Sequence, residues 1–439
     1  MTDESEALKR GHTRKGRAAR PFQARLDRWL DRVLQPLSTL LLHRRTHRFL
    51  RFVPTLSFLS HRIAAPVGTW PPSKVTVPAQ LRGRPGIGFD SKAADAAFVE
   101  APLPDWSALH ADGVRWFRRK DWRSFLICTP RLRRAGRFAD RVDTMVVDES
   151  AAPTVVDTRA LTAAFTAKAA AIGISAVGIA QYDRRYTFEP AQRNAFDDRV
   201  VVCVLEQNWA ATQTAPSAQL LKASLVADAR LTELAALLTQ WLHGQGYRAR
   251  LHEQPGETML LNYAVAAGLG QMGMNGQVLT PRAGSRCRLV GLTTNAPLDF
   301  DKPIDYGIEK LCDNCQVCVR RCPSGAIQTR RVVDRGVEKS KINTARCFPV
   351  VVQTHGCGIC IKVCPVQRYG LDAVMKEYEA SGRILGKDTE ELEGYWFDDV
   401  HYASGRRPHL REAWFHPEGF TFDAQRKMAR PTGRDAAEF

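Results

Sequence analysis

Eight cysteines fall between Cys312 and Cys364, and their spacing constrains this chain more than any other feature. The first group reads Cys312-Asp-Asn-Cys315-Gln-Val-Cys318-Val-Arg-Arg-Cys322-Pro323, a C-x2-C-x2-C-x3-C-P run. The second is Cys347, then Cys357-Gly-Ile-Cys360-Ile-Lys-Val-Cys364-Pro365. Three thiolates two residues apart let one tight loop wrap one face of an iron–sulfur cube. The fourth opens a helix and points away toward a second cube, and the proline after it fixes the chain direction. Cys312, Cys315, Cys318 and Cys364 are therefore expected on one [4Fe–4S] cluster, and Cys322, Cys347, Cys357 and Cys360 on the other. Structural zinc is the alternative, but it pairs short Cys units across a long spacer, and the first run is cramped for a tetrahedron. Disulfides are disfavoured, because thiols at this density point to a reducing compartment. Cys128, Cys203 and Cys287 stand apart in apolar surroundings and read as inert buried thiols.

Charge divides the 439 residues unevenly: of the formal +17, residues 1–150 carry +13 and the remainder only +4. A uniformly basic nucleic-acid binder is not the expected class. The length allows two or three domains, and no apolar run reaches the length of a membrane span. No secretory signal opens the chain; Arg44-Arg45 lie deep, and the short apolar stretch after them contains Pro54, so export is not expected. Residues 1–24 are polar and basic. From Phe22 to Ile63, apolar residues recur at helical spacing among arginines. This is either an amphipathic helix on an anionic membrane surface or an arm packed on the main domain. Residues 64–100, rich in Pro and Gly, read as an extended linker or wrapping segment.

Order is expected to resume clearly near Asp157, the N-cap of a helix ended by Gly173. Ala176–Ala180, Arg199–Glu206 and Arg288–Asn295 read as strands. Leu220–Leu242 is a long helix with leucines at three- and four-residue spacing, and Leu260–Ala267 is a further helix. Such alternation implies an α/β or α+β domain over roughly 155–300. Residues 371–399 are acidic, and an aromatic tail beyond Tyr395 is expected to pack onto a domain.

The stretch Ala267-Gly-Leu-Gly-Gln-Met-Gly-Met-Asn-Gly-Gln-Val-Leu-Thr-Pro-Arg-Ala-Gly284, followed by Arg286-Cys-Arg-Leu289, resembles the cobalamin-dependent reductive dehalogenases. So do Asp301-Lys-Pro-Ile-Asp-Tyr-Gly307 and the isolated Cys347. The likeness covers roughly residues 155–370 and extends to the related epoxyqueuosine reductases. It implies an α+β fold: a nitroreductase-like corrinoid-binding core over 101–300 and a bacterial-ferredoxin-like two-[4Fe–4S] domain over 301–375. A basic N-terminal arm and linker (1–100) would precede them, and an extension (376–439) would pack on the core. It also implies a base-off cobalamin near Gly268, Gly270, Gly273, Asn275, Gly276 and Thr280, since glycines admit a large flat ligand close to the backbone. A nucleotide-loop reading of Gly268-Leu-Gly270 is weak, because no strand-to-helix turn surrounds it.

The chemistry implied is reductive dehalogenation, R–X + 2e⁻ + H⁺ → R–H + X⁻, with electrons relayed through the two clusters to a reduced corrinoid. The family's proton donor is usually a tyrosine beside a basic residue. Arg288 is the candidate basic partner, but the long helix has no tyrosine over 225–235. Tyr263 and Glu257 are the candidate proton donors. The register of the epoxyqueuosine-reductase acid falls on Gln254, flanked by Glu253 and Glu257. Partners expected are a small organohalide and a separate low-potential donor such as a ferredoxin, flavodoxin or reductase. The location expected is cytoplasmic, with peripheral association at the inner membrane face through the basic arm. The alternatives are a related reductase of another substrate, including a modified tRNA base, and a non-catalytic iron–sulfur electron carrier.

Overall fold

The computed structural model describes residues 75–83, 98, 102–103, 106–148, 150, 157–252, 257–335, 337–418 and 420. The basic arm of 1–63 lies outside them, as do Glu253 and Gln254. Two helices come first, α1 (Trp106–Lys120) and α2 (Trp122–Asp143). Among the described residues, α-helix therefore begins some fifty residues before Asp157. These helices are hard to read because α2 buries a narrow stripe of Phe125, Cys128, Ala135, Ala139 and Val142 among arginines, with Pro130 inside it. Proline ordinarily breaks such a pattern.

Helix α3 (Thr158–Ile172) starts where Asp157 Oδ1 accepts from the Ala160 amide at 3.0 Å, and it stops at Gly173 in the left-handed conformation (φ +98°). The elements that follow are β1 (Ala176–Gln181), β2 (Arg199–Glu206), α4 (Trp209–Gln213), α5 (Ala218–Gly244), β3 (Ala249–His252) and α6 (Leu260–Ala266). Next come β4 (Gln271–Met272), β5 (Val278–Leu279) and β6 (Cys287–Thr294).

One antiparallel sheet runs β1-β2-β6-β3, with Ala176 opposite Val204, Leu205 opposite Arg288 and Leu251 opposite Leu292. Strand β2 is buried on both faces, which is why RVVVCVLE reads as an unbroken apolar run. Val201, Cys203 and Leu205 face α2, α3 and α5. Val200, Val202 and Val204 face α6 and the segment after it. Helix α5 commits Leu231, Leu234, Leu238 and Leu242 to that first core, while Leu237 stays 37% exposed. Each fully buried leucine contributes roughly 1.5–3 kcal/mol. The result is a mixed α+β layer with helices on both sheet faces.

The cysteine lobe holds α7 (Ile308–Cys315), α8 (Val317–Arg321), a short β7–β8 hairpin (Val332–Asp334, Val337–Lys339), α9 (Thr344–Gln353) and α10 (Ile359–Lys362). It continues with α11 (Pro365–Tyr369), α12 (Leu371–Ser381), α13 (Glu390–Glu393) and a β9–β10 hairpin (Tyr395–Phe397, Val400–Tyr402). Its core gathers Ile308, Val317, Ile359, Val363 and Leu371 with Tyr395 and Phe397 from the tail. Leu81, from the Pro- and Gly-rich segment, is fully buried in the same core beside Gly307. Among the described residues no helix is long and apolar enough to cross a membrane.

Candidate iron–sulfur and active site

Cys312 and Cys315 lie in α7, and the chain then turns through Gln316 in the left-handed region (φ +55°) so that Cys318 follows at once in α8. Cys364 caps α11, with Pro365 at its first position. These four thiols stand together: Cys318 feels the charges of Cys312, Cys315 and Cys364. Cys322 closes α8 and Cys347 lies in α9, and both face Cys357 and Cys360. Around Cys357, residues His355, Gly356, Cys357 and Gly358 all adopt positive φ (51°, 86°, 50°, 75°). Four left-handed residues in a row curl the backbone tightly, and Cys357 bears the strain of a non-glycine there. The two groups are adjacent, since Cys360 also acts on Cys318 and Cys364.

These thiols are crowded by protein. Burial pushes Cys315 and Cys357 up to about 12 and Cys318 and Cys360 well above the ordinary thiol range. Bare thiolates are therefore disfavoured here, and a cationic iron–sulfur core would supply the countercharge. Cys312, Cys315, Cys318 and Cys364 line one small recess, together with Met274 and Leu279. Among the described residues no three Cys, His, Asp or Glu side chains converge on a single ion.

Buried cations brace the lobe. Arg331 donates through Nη1 to the Met272 carbonyl at 2.9 Å and pairs with Asp313 at 3.0 Å, beside Cys312. Arg321 is fully buried: its Nη2 donates to the carbonyls of Glu393 and Tyr402, both at 2.9 Å, and it lies over the Tyr395 ring. Lys362 donates to the Leu392 and Gly394 carbonyls. The acidic and aromatic tail is thus tied to the cluster lobe by main-chain hydrogen bonds.

The glycine-rich stretch forms the β4–β5 hairpin, and its turn delivers the Met274 amide to Cys312. The missing side chains of its glycines are used by this chain. A Cβ at Gly268 would meet the Lys302 carbonyl at 2.5 Å, at Gly270 the Leu279 carbonyl at 2.3 Å, and at Gly273 and Gly276 the side chains of Leu279 and Ile342. Asn275 donates to Ser285 Oγ at 2.9 Å and Thr280 to the Gly284 carbonyl at 3.1 Å. The Cβ direction of each of these four glycines is thus filled by the chain itself. The loop that follows holds the sheet against the cluster lobe: Gly284 packs on Gln367, three residues from Cys364, and Leu371 N–H bonds the Pro281 carbonyl at 2.7 Å.

The three candidate catalytic residues are not brought together. Arg288 lies opposite Leu205, at the sheet end nearest the 280–286 loop, and its Nε stands 3.0 Å from Asp228 Oδ1 on α5. Glu257 lies toward the far end of β6. Its carboxylate accepts from Arg250 at 2.7 Å and Asn194 at 2.8 Å and meets His252 Nδ1 at 2.9 Å. The His252 hydrogen bond holds its carboxyl below the usual range, despite partial burial, so it is a carboxylate at neutral pH. Tyr263 is buried in α6. Its hydroxyl donates to the Asp183 carbonyl at 2.8 Å and accepts from the Asp183 amide at 3.1 Å. Burial drives that phenol far up. Five residues of strand separate Arg288 from Thr293, the residue against His252, a distance of roughly 16 Å. Asp228 was not singled out in the sequence; the signal was an acid within the apolar pattern of the long helix.

Residues 311–368 match the model of the 4Fe-4S dicluster domain. Tetrachloroethene reductive dehalogenase of Sulfurospirillum multivorans is 32% identical over 177 residues, 38% of this chain and 35% of that protein. The chain is a relative of the reductive dehalogenases. Epoxyqueuosine reductase of Synechococcus sp. (strain RCC307) is 32% identical over 182 residues, 40% of this chain and 54% of that one. The chain thus matches about a third to a half of the length of these relatives. A solved reductive dehalogenase, described as suggesting a mechanism for B12-dependent dehalogenation, superposes with a TM-score of 0.58 at 20% identity. It covers 82% of this chain and 58% of its own. At that identity the likeness is one of fold.

Proposed function

We propose that this chain is an oxidoreductase of the reductive-dehalogenase type, replacing a carbon-bound halogen with hydrogen. The supporting observation is the abutment of two four-cysteine groups against one end of an antiparallel sheet, through the 280–286 loop, in a chain whose homologues are named as reductases of this kind. Two [4Fe–4S] clusters take single electrons from a separate low-potential protein donor and pass them toward the Arg288 end of the sheet. Arg288 supplies positive charge where a halide departs.

Base-off cobalamin completes the proposal on the strength of the relatives. The resemblance places it by Gly268, Gly270, Gly273, Asn275, Gly276 and Thr280, whose glycine Cβ directions the chain itself fills. The test is reconstitution with iron, sulfide and cobalamin, followed by titanium(III) citrate and tetrachloroethene. Retained cobalamin with chloride release supports the reading. Cluster absorption without cobalamin retention overturns it and leaves an electron carrier. Turnover of an epoxyqueuosine-bearing tRNA stem loop, with binding that weakens steeply in salt, would place the chain with the other relatives instead.

A further inference from the structure

Four described carboxyls, Asp143, Asp228, Asp301 and Glu309, are pushed upward by burial, and they differ in what holds them. Asp143 accepts the Leu251 amide at 3.0 Å and Asp301 the Ile179 amide at 2.8 Å; both tie strands in place. Glu309 lies one turn before Cys312, within the cluster lobe. Asp228 accepts no backbone amide. Its partner is the Arg288 guanidinium, and 39% of its side chain is still reached by solvent. Asp228 is therefore paired across elements with a strand residue while solvent still reaches it. Ser224, one turn earlier on α5, holds Gln207 at 3.3 Å, and Glu206 beyond it is tied to Arg282 at 3.0 Å and Arg286 at 3.4 Å. This polar cluster occupies the sheet end that adjoins the 280–286 loop, which packs on Gln367 three residues after Cys364.

We propose that Asp228 is the proton donor of the reduction, with Arg288 as the residue that positions it. The inference rests on the reductase reading above. In R–X + 2e⁻ + H⁺ → R–H + X⁻, the carbon–halogen bond breaks and the halide leaves with its electron pair. Two electrons come from a low-potential ferredoxin- or flavodoxin-class donor through the clusters. The Asp228 O–H bond breaks as the C–H bond forms, and water then reprotonates the carboxylate. An aspartic acid serves because desolvation favours its neutral form, while Arg288 keeps the anion that follows from being stranded. The charge that acts on Asp228 is Arg288, and the Glu206–Arg282–Arg286 group lies beyond Ser224 and Gln207 at the same sheet end.

The test uses the reconstituted full chain and has two readouts. The first is infrared difference spectroscopy across a pH titration, which needs no turnover. A protonated carboxyl band is expected to persist above the ordinary aspartate range, to vanish in Asp228→Asn, and to titrate at still higher pH in Arg288→Met. The second is chloride release from tetrachloroethene. Asp228→Asn is expected to lose on the order of 10²-fold or more with its iron content and melting temperature kept, and Asp228→Glu to recover part of it. Wild-type activity is expected to fall with rising pH through the titration seen in the infrared. A band that titrates in the ordinary range, or Asp228→Asn within twofold of wild type, overturns the assignment. A wild-type protein that shows the raised band but releases no halide overturns the dehalogenase reading and with it the donor role. The infrared result keeps that failure separate from a misplaced acid.

Discussion

Glu257 Oε2 stands 2.9 Å from His252 Nδ1, and the same carboxylate also accepts from Arg250 and Asn194. The four groups come from three separate segments, so the carboxylate locks the edge of the sheet to the loop before α6. Its carboxyl is held low, first by the His252 hydrogen bond. A group with a depressed folded-state pKa adds stability above its unfolded value, near 4.3, and loses that stability as pH falls through the folded one. Thermal melting followed from pH 7 to pH 3 is expected to drop across that window. Glu257→Gln is expected to lower the melt at pH 7 and to flatten the drop. Since Glu257 is 30% exposed, the loss is on the order of 1 kcal/mol after screening by solvent. An unchanged pH profile in Glu257→Gln would show that other carboxylates carry the acid limb.

Cluster loading should follow the two thiol groups. Reconstituted wild type is expected to hold about eight iron atoms per chain, as two four-iron clusters do. Cys318→Ser and Cys360→Ser are each expected to lose one cluster, reducing the iron to about four, with one paramagnetic signal left after reduction. Because ligation requires deprotonated thiols that burial opposes, loading is expected to slow as pH falls. Two irons or fewer in wild type would refute the assignment.

Gly270 is tested by adding a single methyl group. Its Cβ would lie 2.3 Å from the Leu279 carbonyl oxygen within a two-stranded hairpin, where neither backbone can give way. Gly270→Ala is expected to cost roughly 1–3 kcal/mol as overpacking. Iron retention should fall too, because the same hairpin delivers the Met274 amide to Cys312. If the variant melts like wild type and loses only cobalamin, the glycine faces a ligand instead of Leu279.

Arg321 and Glu393 are buried side by side, 3.9 Å apart, and Glu393 also pairs with Arg320. Arg321 is not reached by solvent and bonds the carbonyls of Glu393 and Tyr402. Arg321→Met is expected to cost roughly 1–3 kcal/mol for the buried carbonyls it leaves without a donor. Limited proteolysis should then release the tail beyond Glu390. A variant with normal melting and a protected tail would show that the aromatic contacts alone hold the extension.

Some of this was legible because the information was local. The cysteine spacings, the Asp157 cap, the Gly173 stop and the all-apolar β2 strand each depend on residues within one or two turns of chain. The arginine-rich α2 was not legible: its buried stripe is mostly small residues, and Pro130 disguises it. The glycine motif was recognised by its residues, yet its glycines face Leu279, Lys302 and Ile342, contacts no periodicity encodes.

Cysteine spacing and apolar runs are short-range properties, so two four-cysteine motifs beside a mixed α+β layer can be read from them directly. Which acid meets Arg288 is settled by folding. Asp228 lies sixty residues earlier, on a different element, and reaches Arg288 because α5 packs across the start of β6. Folding likewise separates Glu257 and Tyr263 from Arg288, since the register of an antiparallel sheet fixes which end of a strand each side chain occupies.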